Sequence, residues 1–394
     1  MIQYLYNKKN MRQKRVLMIS LEFPPQIGGI ATFLHQLTNA LDHQRTVLLA
    51  PEMEGDKEWD TTHVTYPVIR KKMLYDFFWP KWLKLFFEVR KIVKKENIEL
   101  IVLHHVLPVG YAAWMIKKLY GVPFIIFSHG TDVVASTSTS WKRRMVTMLL
   151  KETEQVIFNS HNLLGRLDKK LPSFHDKYSV LYPCPDAEFF TPENKEAVED
   201  LRIKLALEGK KVVLTVGRID NGKGFRHMAQ IFPKLLEKEP DLVWIIIGDG
   251  PLQKEMYDTI RKNNLQNIVR YVGEIPHDQI KKYYYLCDVF AMFSHPWNGL
   301  EEGLGLVFLE AAACGAPIVA GRSGGVVEAV LDGETGIIVD VLEKTEEAGD
   351  TILKLIEDKE LAQKLGNAGQ ERMKKSFIWE YQLKVLDKWL LSDD

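Results

Sequence analysis

The stretch Lys211–Gly224, KVVLTVGRIDNGKG, decides how this chain is read. Val212–Val216 is a continuous run of apolar and β-branched residues without alternation. A parallel strand covered on both faces needs such a run. Gly217-Arg218-Ile219-Asp220-Asn221-Gly222-Lys223-Gly224 follows at once, and a helical pattern comes after it. Strand, glycine-rich loop and helix in that order aim backbone N–H groups and a helix start at an anion. The loop nearly matches the phosphate-loop pattern G-x-x-x-x-G-K-[ST], but Gly224 stands where a hydroxyl would hold magnesium. The loop therefore keeps its positive charge and lacks the metal ligand. Arg218 offers a forked donor set and Lys223 a point charge to a diphosphate. Surface charge explains either residue alone but poorly explains both among three glycines.

Working outward, the same rhythm recurs on both sides. Val16–Ser20, Val47–Ala50, Leu100–His104, Phe124–Ser128, Val156–Ser160 and Val180–Tyr182 read as buried strands before Lys210. After Val212–Val216 come Val243–Ile247, Ile268–Val272, Val289–Phe293, Ile318–Ala320 and Gly336–Val339. Strands alternating with helical patterns mean an α/β fold with right-handed crossovers, here two doubly wound domains. Three prolines within Tyr182–Pro192 forbid a helix and place the boundary there. The expected division is an extension over 1–14, an N-terminal domain over 15–185 and a C-terminal domain over 190–377. The tail over 378–394 contains an amphipathic helical pattern at Ile378–Leu391.

A length of 394 residues accommodates two such cores. The formal net charge is zero, so the overall balance favours no nucleic-acid partner. Three scattered cysteines, Cys184, Cys287 and Cys314, suit a reducing compartment better than a disulfide framework. No signal peptide and no apolar stretch of bilayer length is legible, so a cytoplasmic enzyme is expected.

Further motifs follow other strands. Gly28-Gly29 sits between the first strand and its helix, where a backbone can approach a ligand closely. Ser128-His129-Gly130-Thr131-Asp132 ends another strand, and His129 there can donate to a sugar hydroxyl or a developing anion. Glu302-Gly303-Leu304-Gly305-Leu306-Val307-Phe308-Leu309-Glu310 sets two carboxylates seven residues apart around a glycine-led helix start. Glu310, about two turns in, can accept from a ribose diol, and Glu302 from sugar hydroxyls. No H-E-x-x-H and no D-x-D occurs, and His104-His105 has no paired ligand spacing nearby, so no metal is expected. Arg70–Lys95 holds nine basic residues against two acids and six Phe or Trp. Its helix, from Pro80, reads slightly better as one packing its apolar stripe on the sheet. The preceding Met73–Trp79 loop is the better candidate to meet an anionic membrane.

In order, GG, HGTD, VGRIDNGKG, IIGDGP (Ile246–Pro251) and E-x7-E within EEGLGLVFLEAAACGAPIVAGRSGG resemble the retaining glycosyltransferases of sequence family four, over about Arg15–Leu391. The resemblance implies the GT-B fold: two Rossmann-like domains facing across a cleft, with a C-terminal helix crossing back to the N-terminal domain. It implies a nucleotide-sugar donor, a glycan or lipid-linked acceptor and no divalent metal. Carried over by residue, Gly28, Gly29, Asp132, Gly217, Gly248, Gly303 and Gly305 belong to the donor site. Leu306 and Val307 would offer N–H groups to the phosphates. Gly273–Ile275 would line the base, with Gly273 and Ile275 its ends. Glu310 would hold the ribose. His129 would contact the transferred sugar, Glu302 its hydroxyls, and Arg218 and Lys223 the leaving diphosphate. Retention in this family is ascribed to same-face attack. The segment YPCPDAEFF departs from the family's usual P-N-G-x-D, keeping Pro183 and Asp186. AMFSHPWNGLEEGLG resembles the branch that mannosylates lipid-linked inositol, which makes GDP-mannose the first donor to test and a UDP-sugar the other. A nucleotide-sugar epimerase or hydrolase on the same fold is the competing reading. A P-loop ATPase is disfavoured by Gly224.

Overall fold

The computed structural model describes residues 11–26, 28–129 and 139–393. It divides into two units: Met1–Pro183 with Trp379–Asp394, and Cys184–Ile378. The break falls inside the proline-rich stretch, where no strand or α-helix runs through.

The first unit carries a seven-stranded parallel sheet: β2 (Val16–Ile19), β3 (Thr46–Pro51), β4 (Val68–Lys71), β5 (Leu100–Leu103), β6 (Phe124–Ser128), β7 (Val156–Phe158) and β8 (Tyr178–Val180). Their spatial order is β4-β3-β2-β5-β6-β7-β8. Val16–Ile19, Leu100–Leu103 and Phe124–Ser128 are buried at every position, as strands covered on both faces require. The helix Leu83–Glu96 sinks Leu85, Phe86, Val89, Ile92 and Val93 into this core, so the apolar stripe of the basic stretch is packing surface.

The second unit holds β9 (Lys211–Val216), β10 (Leu242–Ile247), β11 (Val269–Gly273), β12 (Val289–Met292), β13 (Ile318–Gly321) and β14 (Ile337–Val339), ordered β11-β10-β9-β12-β13-β14 and all parallel. In both sheets the order reverses beside the first strand, between β2 and β5 and between β9 and β12. Ligands of open α/β sheets sit outside the carboxyl ends of the strands at such a point.

Three expectations change. Residues 1–14 are not all extension, because β1 (Met11–Gln13) pairs antiparallel with β15 (Leu391–Asp393). The tail is helical but not one regular α-helix: the α-helical turns Trp379–Gln382 and Asp387–Leu390 flank the contiguous 3-10 turn Leu383–Leu386, and together they bury Trp379, Leu383, Leu386 and Leu390. The helical spacing was real, and pairing with β1 draws the last residues into a strand. Arg70 leaves the basic surface altogether. It lies in β4, its side chain 9% exposed, bonded to Asp60 at 2.6 Å and to the Pro24 and Pro51 carbonyls. No disulfide joins Cys184, Cys287 and Cys314.

Candidate active site

The loops after the strands of the second unit are fastened to one another through their backbones. Gly217 N–H donates to Ile247 at 2.9 Å, Ile219 to Asp249 at 2.9 Å, Gly248 to Gly273 at 2.8 Å, and His295 to Gly222 at 2.9 Å. The candidate donor residues Gly217, Gly248 and Gly273 are thereby brought together. Two glycines are required by geometry. Gly224 has φ +77°, and a Cβ there would lie 2.2 Å from the Phe293 carbonyl. Gly305 has φ +87°, and a Cβ there would lie 2.5 Å from the Phe308 ring. Each immediately precedes a helix, Phe225–Lys238 and Leu306–Ala313, and neither helix start has a side-chain cap. The backbone N–H groups of Leu306 and Val307 open the second helix, and Gly305 has no side chain to cap them, which suits an anion site.

Lys223 and Glu302, from the loops after β9 and β12, meet directly: the ammonium donates to Glu302 Oε2. Both are largely covered, with side chains 26% and 16% exposed. Glu302 is anchored further by its N–H on Ser323 Oγ at 3.1 Å, and its carbonyl accepts from Gly325. Gly303 lies between Glu302 and the helix start, packed against Gly325. Arg218 differs. Its side chain is 69% exposed and, among the described residues, pairs with Asp220 at 3.5 Å. A small pocket adjoins the loop, but its lining, which includes Phe225, Leu252 and Trp297, contains neither Arg218 nor Lys223.

Glu310 is the fifth residue of its helix, little more than one turn in rather than two, and is 2% exposed. Both its oxygens are engaged: Oε1 with His277 Nε2 at 2.8 Å, Oε2 with the Tyr284 hydroxyl at 2.9 Å. His277 opens the helix His277–Leu286, just after Gly273, Glu274 and the half-buried Ile275. Burial lowers the affinity of this ring for a proton, but the charge of Glu310, its hydrogen bond, and the charges of Asp186 and Glu188 outweigh that and raise its pKa to about 9. Nothing in the spacing of the chain marks His277 or Tyr284. Their roles follow from a tertiary contact between two helices.

In the first unit, Gly28 precedes the helix Gly29–Asn39 in extended conformation, and among the described residues nothing outside its own helix and chain neighbours lies within 4 Å of a Cβ placed on Gly29. Glu22 and His105 face each other at 3.4 Å beside Gly28. His129 stacks on His104 with ring centroids 5.5 Å apart, and His104 Nδ1 lies 3.3 Å from His129 Nε2. Phe33, from the helix that Gly29 opens, meets the His129 ring edge-on at 5.2 Å. Burial, with His105 adding to it, depresses the His129 pKa to about 3. The ring is therefore neutral near pH 7 and can donate one N–H. Sequence spacing gave no hint of the His104–His129 pair. Asp132 lies outside the described residues.

The loop before Leu83 exposes Phe77, Phe78 and Trp79, at 103%, 55% and 81%, beside exposed Lys71, Lys72 and Lys81, while Met73 is buried. Among the described residues no helix is long and apolar enough to cross a membrane.

Residues 197–372 match the family described as Glycosyl transferases group 1, and residues 27–189 match Glycosyltransferase Family 4. The chain is 28% identical to the GDP-mannose-dependent alpha-(1-6)-phosphatidylinositol monomannoside mannosyltransferase of Mycolicibacterium smegmatis, over 92% of this chain and 95% of that one. It is 23% identical to the N-acetyl-alpha-D-glucosaminyl L-malate synthase of Bacillus anthracis, over 76% of each. The crystal structure of Anabaena HepE in complex with UDP and glucose matches with a TM-score of 0.80 at 20% identity, covering 95% of this chain and 98% of that one. At that identity the likeness shows a common fold.

Proposed function

We propose, from the premise that this chain belongs to the group 1, family 4 glycosyltransferases, that it moves a hexose from a nucleoside diphosphate to a lipid-linked or glycan acceptor, with retention and without a divalent metal. Its fold is GT-B. The observation that carries the reading is the meeting of Lys223 with Glu302 beside the uncapped helix start at Leu306, at the topological switch of the second unit.

The chemistry follows from charge. Departure of a nucleoside diphosphate builds negative charge on the leaving oxygen. Lys223, Arg218 and the N–H groups of Leu306 and Val307 supply fixed positive counterparts, which act where that charge develops. The pairing with Glu302 holds Lys223 ready; when phosphate takes the ammonium, Glu302 is released to accept from sugar hydroxyls. Exposed Arg218 closes on the diphosphate from solvent. Neutral His129 donates to the transferred sugar. The acceptor attacks from the face that the diphosphate leaves, and the departing phosphate takes its proton.

GDP-mannose is the first donor, because the mannosyltransferase relative from Mycolicibacterium uses it and the segment at 291–305 has the same flavour. A UDP-sugar is the second. For a lipid-linked acceptor, Phe77, Phe78 and Trp79 with Lys71, Lys72 and Lys81 form a rim suited to an anionic membrane surface.

Thermal shifts with GDP, UDP and ADP in EDTA name the base, since only a ligand that binds the folded state raises the melting temperature. Donor turnover is then followed with and without a phosphatidylinositol acceptor. Acceptor-dependent release of nucleoside diphosphate is expected; equal release without acceptor would instead mean a hydrolase. Flotation with anionic vesicles should be strong in low salt and weak in high salt. Absence of binding at low salt would remove the membrane from the account.

A further inference from the structure

Glu310 is bonded on both oxygens by groups that no motif announced. Tyr284 donates to Oε2 at 2.9 Å and His277 lies 2.8 Å from Oε1. The two partners come from one helix, His277–Leu286, while Glu310 sits on another, Leu306–Ala313. A carboxylate oxygen has two lone pairs, so two protein donors fix the group and leave it able to accept from a ligand. The His277 ring is itself held. Phe189 packs against it with centroids 5.3 Å apart, and a ring nitrogen of His277 and carboxylate oxygens of Asp186 and Glu188 lie within 4.8 Å of one another.

We propose that His277 is a positioning residue for the nucleotide's ribose: with Tyr284 it orients the Glu310 carboxylate that accepts from the ribose diol. This rests on the reading of Glu310 as the ribose acceptor. Removing His277 leaves Glu310 buried with one partner fewer, free to turn or to take a proton. The cost falls on recognition of the diol, not on the diphosphate, which Lys223 and the helix start hold.

The groups facing the His277 ring are Glu310 from one side and Asp186 and Glu188 from the segment Asp186–Phe190. Asp278 and Lys281 of its own helix lie within the electrostatic reach of Glu188. The charged ring persists up to about pH 9. Discrimination for the diol is therefore full near neutrality and declines as pH rises through that value.

The test compares affinities for GDP and 2′,3′-dideoxy-GDP, with the UDP pair in parallel, in wild type, Glu310→Ala, His277→Gln and Tyr284→Phe, each checked for folding by its melting curve. Wild type should prefer the ribose form about tenfold or more, as expected for losing hydrogen bonds to a charged group. Glu310→Ala should abolish the preference, and His277→Gln should reduce it to about threefold or less with dideoxy affinity unchanged. If Glu310→Ala keeps the preference, the ribose reading of Glu310 fails. If Glu310→Ala loses it while His277→Gln retains it in full at every pH from 7 to 10, the positioning role fails alone. Should His277→Gln not fold, Tyr284→Phe, which removes one hydroxyl, carries the same comparison, and an undiminished preference there overturns orientation by this helix.

Discussion

The two sheets share a strand order at their switch points and differ in what stands there. Among the described residues, the first unit leaves room at Gly29 and stacks buried His104 on half-buried His129, both held neutral. The second presents a lysine and a glutamate in contact, an exposed arginine and an uncapped helix start. One backbone plan thus offers one place twice, and the side chains differ: a cation, its carboxylate partner and an uncapped helix start in one copy, neutral imidazoles in the other. The fold supplies location and the loops supply chemistry.

Substitutions that move charge in the second unit should separate the copies most sharply. Lys223→Ala is expected to lower kcat/KM by about two orders of magnitude, as removal of a donor to developing charge does. Wild-type rates in folded Lys223→Ala would erase the contrast. His129→Ala should lower kcat by about tenfold or more while leaving GDP affinity within about twofold, because a single neutral hydrogen bond to the sugar is at stake. An equal loss of nucleotide affinity would place His129 with the phosphates.

A smaller effect concerns stability. Both histidines of the stack are held below their ordinary pKa, first by burial. They bind protons in the unfolded chain once pH falls below about 6.5, and in the folded state only much lower, so unfolding gains protons and stability declines with falling pH. Between pH 6.5 and 5 the loss from His129, whose folded-state value is about 3, should approach about 1 kcal/mol per pH unit, and His104 adds to it in the same direction. Replacing His129 with Gln should make the fall of melting temperature with pH shallower over that window, leaving the share of His104; an unchanged slope would mean the His129 ring is solvated. The least effect is expected from Arg218→Lys. The exposed side chain keeps its charge and loses only its fork, at a cost of about fivefold in KM.

The sequence already contained most of this contrast. Val212–Val216 and the glycines after it announce a strand, a cationic loop and a helix start, because those residue types have few other uses together. β4 was less legible: Val68–Lys71 is short, half-buried and ends in Arg70 and Lys71, so it reads as part of a charged stretch. The β1–β15 pair was invisible because its partners lie hundreds of residues apart and neither is strongly apolar. The same limit hid the contacts that finish the sites. His277 on Glu310 and His104 on His129 arise where separate elements pack, and spacing along a chain carries no trace of that. Arg70 shows the converse, since a residue counted with a basic stretch is spent on Asp60 and two carbonyls.

The central claim is that the second unit grips a nucleoside diphosphate by its own charges. Calorimetric titration of GDP and UDP in excess EDTA, into wild type and Lys223→Ala, tests it most directly. The expected result is saturable binding of one nucleotide by the wild type without metal, weakened at least about tenfold by the substitution, as a charge-assisted contact warrants. Binding that requires magnesium, or equal affinity in both proteins, would contradict it.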